Sequence, residues 1–178
     1  MSPGCQLQLG IPVVITNQLG RRAVSVVTVF QPLNVTTAAT RLISYQTSYD
    51  ALGAQCDPSY TLEAGTEGER GFIMDYVITG FTVVTADYEG EDNAYGAGQQ
   101  SGYETLDAIR SAEKLLGVSE ASTPVGMLAY SGGAVATEFA SELAPKYAPH
   151  LDIIGAADGG VAVDLFHSLS YIDTPSSP

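Results

Sequence analysis

Ala129-Tyr130-Ser131-Gly132-Gly133 is the run whose residue types and order could do chemistry. A serine on a sharp strand-to-helix turn lifts its hydroxyl above a sheet, and residues two away from it must be small to clear the adjoining backbone. Ala129 stands where that motif ordinarily has glycine, and it still meets the demand. Gly132 would open the helix, so its N–H and the positive end of the helix dipole face the place where an oxyanion forms. The chemistry would be nucleophilic attack by the Ser131 hydroxyl, with an oxyanion forming beside the helix start. The string is weak by itself, since a Ser-Gly-Gly turn used for packing has the same spelling. Its weight comes from lying between a predicted strand and a predicted helix.

A serine hydroxyl needs a base to take its proton, and the chain has two histidines. His150 falls before a strand, at the opposite edge of a parallel sheet from Ser131, and reads as a surface residue. His167 lies on a predicted helix near the correct rim, where Asp158 or Asp164 could orient it. Asp158-Gly159-Gly160 ends a predicted strand; structural use at the rim is its plainer reading. Thr85-Ala86-Asp87-Tyr88-Glu89-Gly90 ends another, and ligands of open α/β sheets collect at such carboxyl ends. That puts Asp87 on the rim with Ser131, although an aspartate there also serves as a turn cap.

The elements that must position these residues follow from patterning. Residues 23–30 (AVSVVTVF) and 41–46 (RLISYQ) read as strands. Thr66-Glu67-Gly68-Glu69 has capping-box spacing, followed by Phe72, Ile73, Tyr76 and Val77 as an apolar helical face and Gly80 as a C-terminal cap. Residues 81–86 (FTVVTA) suit a strand buried on both faces. A helix is predicted over 99–116, a strand over 125–130, a helix over 132–144 ended by Pro145, a strand over 151–157 and a helix from Val161. This alternation predicts an α/β fold, a mostly parallel sheet with helices on both faces.

Composition excludes several functions. With 178 residues, 45% hydrophobic and 15% charged, the chain has enough apolar surface to fold as one domain. Its net charge of −13 leaves no basic cluster for nucleic acid or for an anionic membrane surface. No apolar run approaches the roughly 20 residues of a bilayer span. Gly96 and Gly98 lack the residues of a phosphate loop or dinucleotide fingerprint, and no metal constellation stands out, so neither metal nor cofactor is expected. Cys5 and Cys56 suit one bridge or two unrelated thiols. Asn34-Val35-Thr36 matches a glycosylation acceptor, Thr174 to Pro178 reads as a frayed tail, and the first residues show no secretory leader.

The stretches TGFTVVTADYEGEDNAYGAGQQSGYETLDAIR (79–110), AYSGGAVATEFASELAPKYAPHLDIIGAADGGVAVDL (129–165) and CDPSYTL (56–62) closely resemble the secretory lipase family of fungi and actinobacteria. The likeness covers most of 41–173 and is weak over the first forty residues. It implies an α/β-hydrolase fold and hydrolysis of carboxylic esters, lipids included, by an extracellular enzyme. Ser131 would be the nucleophile, and Asp87 and Gly132 the oxyanion-hole pair. The family draws its acid and histidine from a C-terminal region after Val161 to Ile172, so the chain reads as the nucleophile-bearing part of a truncated hydrolase domain. The resemblance also implies strands beyond 151–157, whose absence leaves an unpaired edge suited to self-association. A catalytically silent fragment or paralogue is the rival reading, and a thioesterase or peptidase of the same fold another.

Overall fold

The structure, a computed structural model, describes residues 5–17, 19–33 and 40–173, without the side chains of 5–9 and 172. The Asn34 triplet, the tail from Thr174 and the Cys5 side chain lie outside the described residues; Cys56 is a free, half-buried thiol. The described strands form one six-stranded sheet in the order β1-β2-β4-β3-β5-β6. Its members are β1 (Cys5–Thr16), β2 (Arg22–Pro32), β3 (Leu42–Gln46), β4 (Thr82–Ala86), β5 (Val125–Tyr130) and β6 (Ile153–Gly159). β4, β3, β5 and β6 are mutually parallel, joined through helices, whereas β1 pairs antiparallel with β2 and β2 antiparallel with β4. The sheet is therefore mixed, because the first two strands form a hairpin and need no crossover.

Successive residues of a strand face opposite ways. Val29, Leu42 and Val84 turn to a core shared with Leu106 and Ile109 of α3 (Gly98–Leu116) and Ala140 of α4 (Gly132–Tyr147). Their neighbours Phe30, Ile43 and Val83 turn the other way, onto Leu62 of α1 (Pro58–Ala64) and Ile73 and Val77 of α2 (Arg70–Ile78). Helices thus cover both faces, as the unbroken apolar strand 82–86 requires. One polar network joins three elements: the Tyr147 hydroxyl donates to Asp107, which also accepts the Thr16 N–H at 2.9 Å, and Arg110 lies over the Tyr147 ring.

Several boundaries differ from expectation, each for a local reason. The capping box does not form, since tertiary contacts use its residues. The Glu67 carboxylate accepts the Thr61 hydroxyl at 2.6 Å, and Glu69 accepts the Ser48 N–H at 2.9 Å. α2 starts at Arg70 and ends as predicted, with Phe81 N–H reaching back to the Tyr76 carbonyl beyond Gly80. Phe72, expected on the apolar face, is 60% exposed, and Met74 is buried instead. Pro145 sits inside α4 rather than ending it; it costs one ladder bond, and Ala148 N–H still reaches the Ala144 carbonyl. β6 begins at Ile153, because Leu151 N–H closes a turn onto the Ala148 carbonyl and Asp152 N–H is taken by the Glu120 carbonyl. The last helix, α5 (Leu165–Ile172), begins after Val161 because Asp164 caps it, accepting the His167 N–H at 2.8 Å.

Candidate active site

β5 enters α4 through Ser131, whose backbone has φ 53° and ψ −121°. A positive φ is uncommon outside glycine and marks a corner held by its surroundings. Ser131 N–H donates to the Gly159 carbonyl at 2.9 Å, and its own carbonyl accepts the Ala134 N–H at 2.9 Å. Both glycines after it answer to close neighbours. A Cβ on Gly133 would overlap the Gln46 carbonyl at the end of β3, and one on Gly132 would overlap the Asp50 carboxylate. Ser131 itself is half-exposed and lines a cavity of about 60 Å³ shared with Asp50, Tyr88, Glu89, Tyr95 and Gly132. By helix geometry the first N–H groups of α4 have no intrahelical acceptor, so the cavity faces a donor-rich, positive helix end.

The rim residues read from the sequence divide between sites. Asp87 is buried, but its carboxylate accepts the Ser59 N–H at 2.8 Å and the Ser59 hydroxyl at 2.6 Å. It lines a separate depression with Ser25, Asp57 and Gly90. Burial raises its carboxyl to about pKa 6, against the lowering effect of Ser59. The group beside Gly132 is instead Asp50, at the partly exposed mouth of the cavity, its carboxyl raised by desolvation. Sequence reasoning passed over it, although the carboxyl-end rule applied to Asp87 applies equally to Ser48-Tyr49-Asp50 after β3.

Asp158 sits at the end of β6 beside Glu138 of α4, whose carboxyl it raises by like-charge repulsion. His167 is exposed on α5, and His150 is exposed near the start of β6, at the far end of the sheet. Among the described residues, neither histidine nor Asp158 lines the Ser131 cavity. No group of acidic, histidine or cysteine side chains suited to a metal occurs among those residues. No described helix is long and apolar enough to cross a membrane.

A mostly parallel sheet with a serine at positive φ between strand and helix, over a cavity at the strands' carboxyl ends, is the architecture of the α/β-hydrolase fold. The family model of secretory lipases matches residues 58–176, and the chain belongs to that family. It is 37% identical over 168 residues to "Probable inactive lipase MT1628" of Mycobacterium tuberculosis, covering 89% of this chain and 37% of that protein. It is 35% identical over 161 residues to Lipase 1 of Candida albicans, covering 84% of this chain and 34% of that one. The solved structure of Candida antarctica lipase A in its closed state superposes with a TM-score of 0.78 at 32% identity, covering 85% of this chain and 37% of that one. The chain therefore spans little more than a third of the length of these proteins.

Proposed function

We propose that the chain carries the nucleophile and oxyanion site of a serine ester hydrolase acting on lipid esters outside the cell. The observation that carries this reading is the positive-φ Ser131 at the corner of β5 and α4, lining a cavity with Gly132 and Asp50. The Ser131 Oγ gives its proton to a general base and attacks the ester carbonyl carbon, the carbonyl π pair moves to oxygen, and the Gly132 N–H stabilises the resulting oxyanion, with the loop of Asp87 as the second member of the pair that the family resemblance implies. Collapse expels the alcohol, which takes up a proton, and water then releases the acid. Among the described residues, no histidine lines the cavity to serve as that base. A fluorophosphonate probe tests the reading: the labelled peptide, mapped by mass spectrometry, contains Ser131. Labelling elsewhere, or none above a heat-denatured control, refutes it.

The silent-paralogue reading has its own support. Neither histidine lines the cavity among the described residues, and one relative is named as a probable inactive lipase. Self-association through the β6 edge is supported by Ile154, 71% exposed on that strand. Light scattering is expected to find oligomers, and a clean monomer at high concentration would count against this.

A further inference from the structure

The cavity under Ser131, at about 60 Å³, has room for a reacting ester group and little else. A larger cavity of about 410 Å³ adjoins it, and the two share Val135, Ala162 and Leu165 as lining. Val135, Glu138, Phe139 and Glu142 form one wall of this groove. They recur at three- and four-residue steps and so lie along one face of α4. Val161 and Ala162, between β6 and α5, form the other wall with Leu165 at the start of α5. The chain turns into that wall at Gly160, φ 67°, where a Cβ would come within 3.1 Å of the Tyr130 ring. The Phe139 ring lies on Gly98 at the start of α3, where a Cβ would overlap it. The groove is thus apolar and firmly walled, apart from the exposed carboxylates of Glu138 and Glu142.

We propose that the groove between α4 and residues 161–165 binds an uncharged, unbranched hydrocarbon chain of the ester whose carbonyl meets Ser131. This rests on the serine ester-hydrolase reading and narrows its substrates to esters with a medium-length chain. Continuity identifies the occupant. A chain leaving the carbonyl past Val135 and Leu165 enters the groove, and each methylene buried there is removed from water. Between Val135 and Glu142 the helix rises about 10 Å. That is room for about eight methylenes, since each carbon–carbon bond advances an extended chain by roughly 1.25 Å. Glu138 and Glu142 oppose a chain that ends in an anion.

Two series of phosphonofluoridates on the full chain test this, one with the alkyl chain on phosphorus, as in the acid half of an ester, and one with it on the ester oxygen, as in the alcohol half. The rate of Ser131 labelling is expected to rise about two- to fourfold per methylene in at least one series and to level off near eight carbons. The series that rises identifies the half of the ester the groove holds. Rates within a few fold of each other from ethyl to octyl in both series overturn the proposal. Ala162→Phe, which narrows the passage between the cavities, lowers the octyl-to-ethyl ratio about tenfold. Phe72→Ala, at an exposed apolar residue of α2, leaves the ratio unchanged. A ratio that Ala162→Phe does not move, or that Phe72→Ala moves equally, overturns the proposal. The second readout needs no chemistry at Ser131. The methyl resonances of Val135, Ala162 and Leu165 are expected to shift with 1-octanol and not with ethanol, and shifts no larger than those of the exposed Ile78 and Ile154 overturn the proposal. If Ser131 labels with no probe while these methyls shift, the hydrolase reading fails and the hydrocarbon site stands.

Discussion

Gly133→Ala is expected to lower the rate of Ser131 phosphonylation by about a hundredfold, the loss that roughly 1 Å of misplacement at a reacting centre can cause. The argument is positional. Ser131 stands at the corner of β5 and α4, and a Cβ on Gly133 would overlap the backbone carbonyl of Gln46, which cannot swing aside as a side chain can. The corner itself must therefore move. Asp50→Ala, which removes a flexible carboxylate beside Gly132, is expected to change the rate only a few fold. Asp87→Asn, which disturbs the contact with Ser59 outside the cavity, is expected to affect folding stability more than labelling. Rate measurements on the three variants decide the matter, and a Gly133→Ala rate within a few fold of the unmodified protein's would contradict the prediction.

The second large effect is on stability, which is expected to be greatest near pH 4–5 and to fall by several kcal/mol toward pH 8–9. Glu89 and Glu104 are raised to about pKa 8, Glu113 to about 7 and Asp87 to about 6, each chiefly by burial. Glu104 is wholly buried near Ser25 and Gln100, but among the described residues neither of its oxygens makes a well-formed hydrogen bond. Such groups keep their protons in the folded chain at pH values where the unfolded chain has released them. Below about pH 4 both states are protonated and the difference vanishes. Between there and about pH 8 the folded state binds more protons, so each step up in pH favours unfolding. Chemical denaturation followed across pH 4–9 checks this. Glu104→Gln should flatten the alkaline part of the curve, and a stability maximum at pH 7–8 would contradict the prediction.

The strands and helices around Ser131 were legible because their signals are local. The apolar runs at 82–86 and 125–130, the Gly80 cap and the small residues flanking Ser131 each dictate structure over a few positions. What was not legible depends on contacts distant in sequence. Thr66 and Glu69 spell a capping box, yet Thr61 and Ser48 decide how that segment is used. Asp87 and Asp50 both follow parallel strands at the same rim, and which one meets Gly132 depends on where Ser59 falls. The antiparallel start of the sheet escaped for a similar reason. The residues of β1 alternate weakly by themselves and become a strand through pairing with β2.

That hairpin bears on how the family's boundaries should be drawn. The secretory-lipase family model matches from residue 58, yet Val13, Ile15, Val27 and Val29 belong to the same core as Leu106 and Ile109. The Val26 carbonyl accepts the Asp87 N–H at 3.0 Å, and the Ser25 hydroxyl donates to the Asp87 carbonyl at 3.0 Å. These bonds anchor the bend from which Tyr88 and Glu89 extend. A cut placed at residue 58 would strip β4 of its neighbours β2 and β3 and unmoor the loop beside the serine. Two strands that precede the matched segment are thus the footing on which the serine's rim stands.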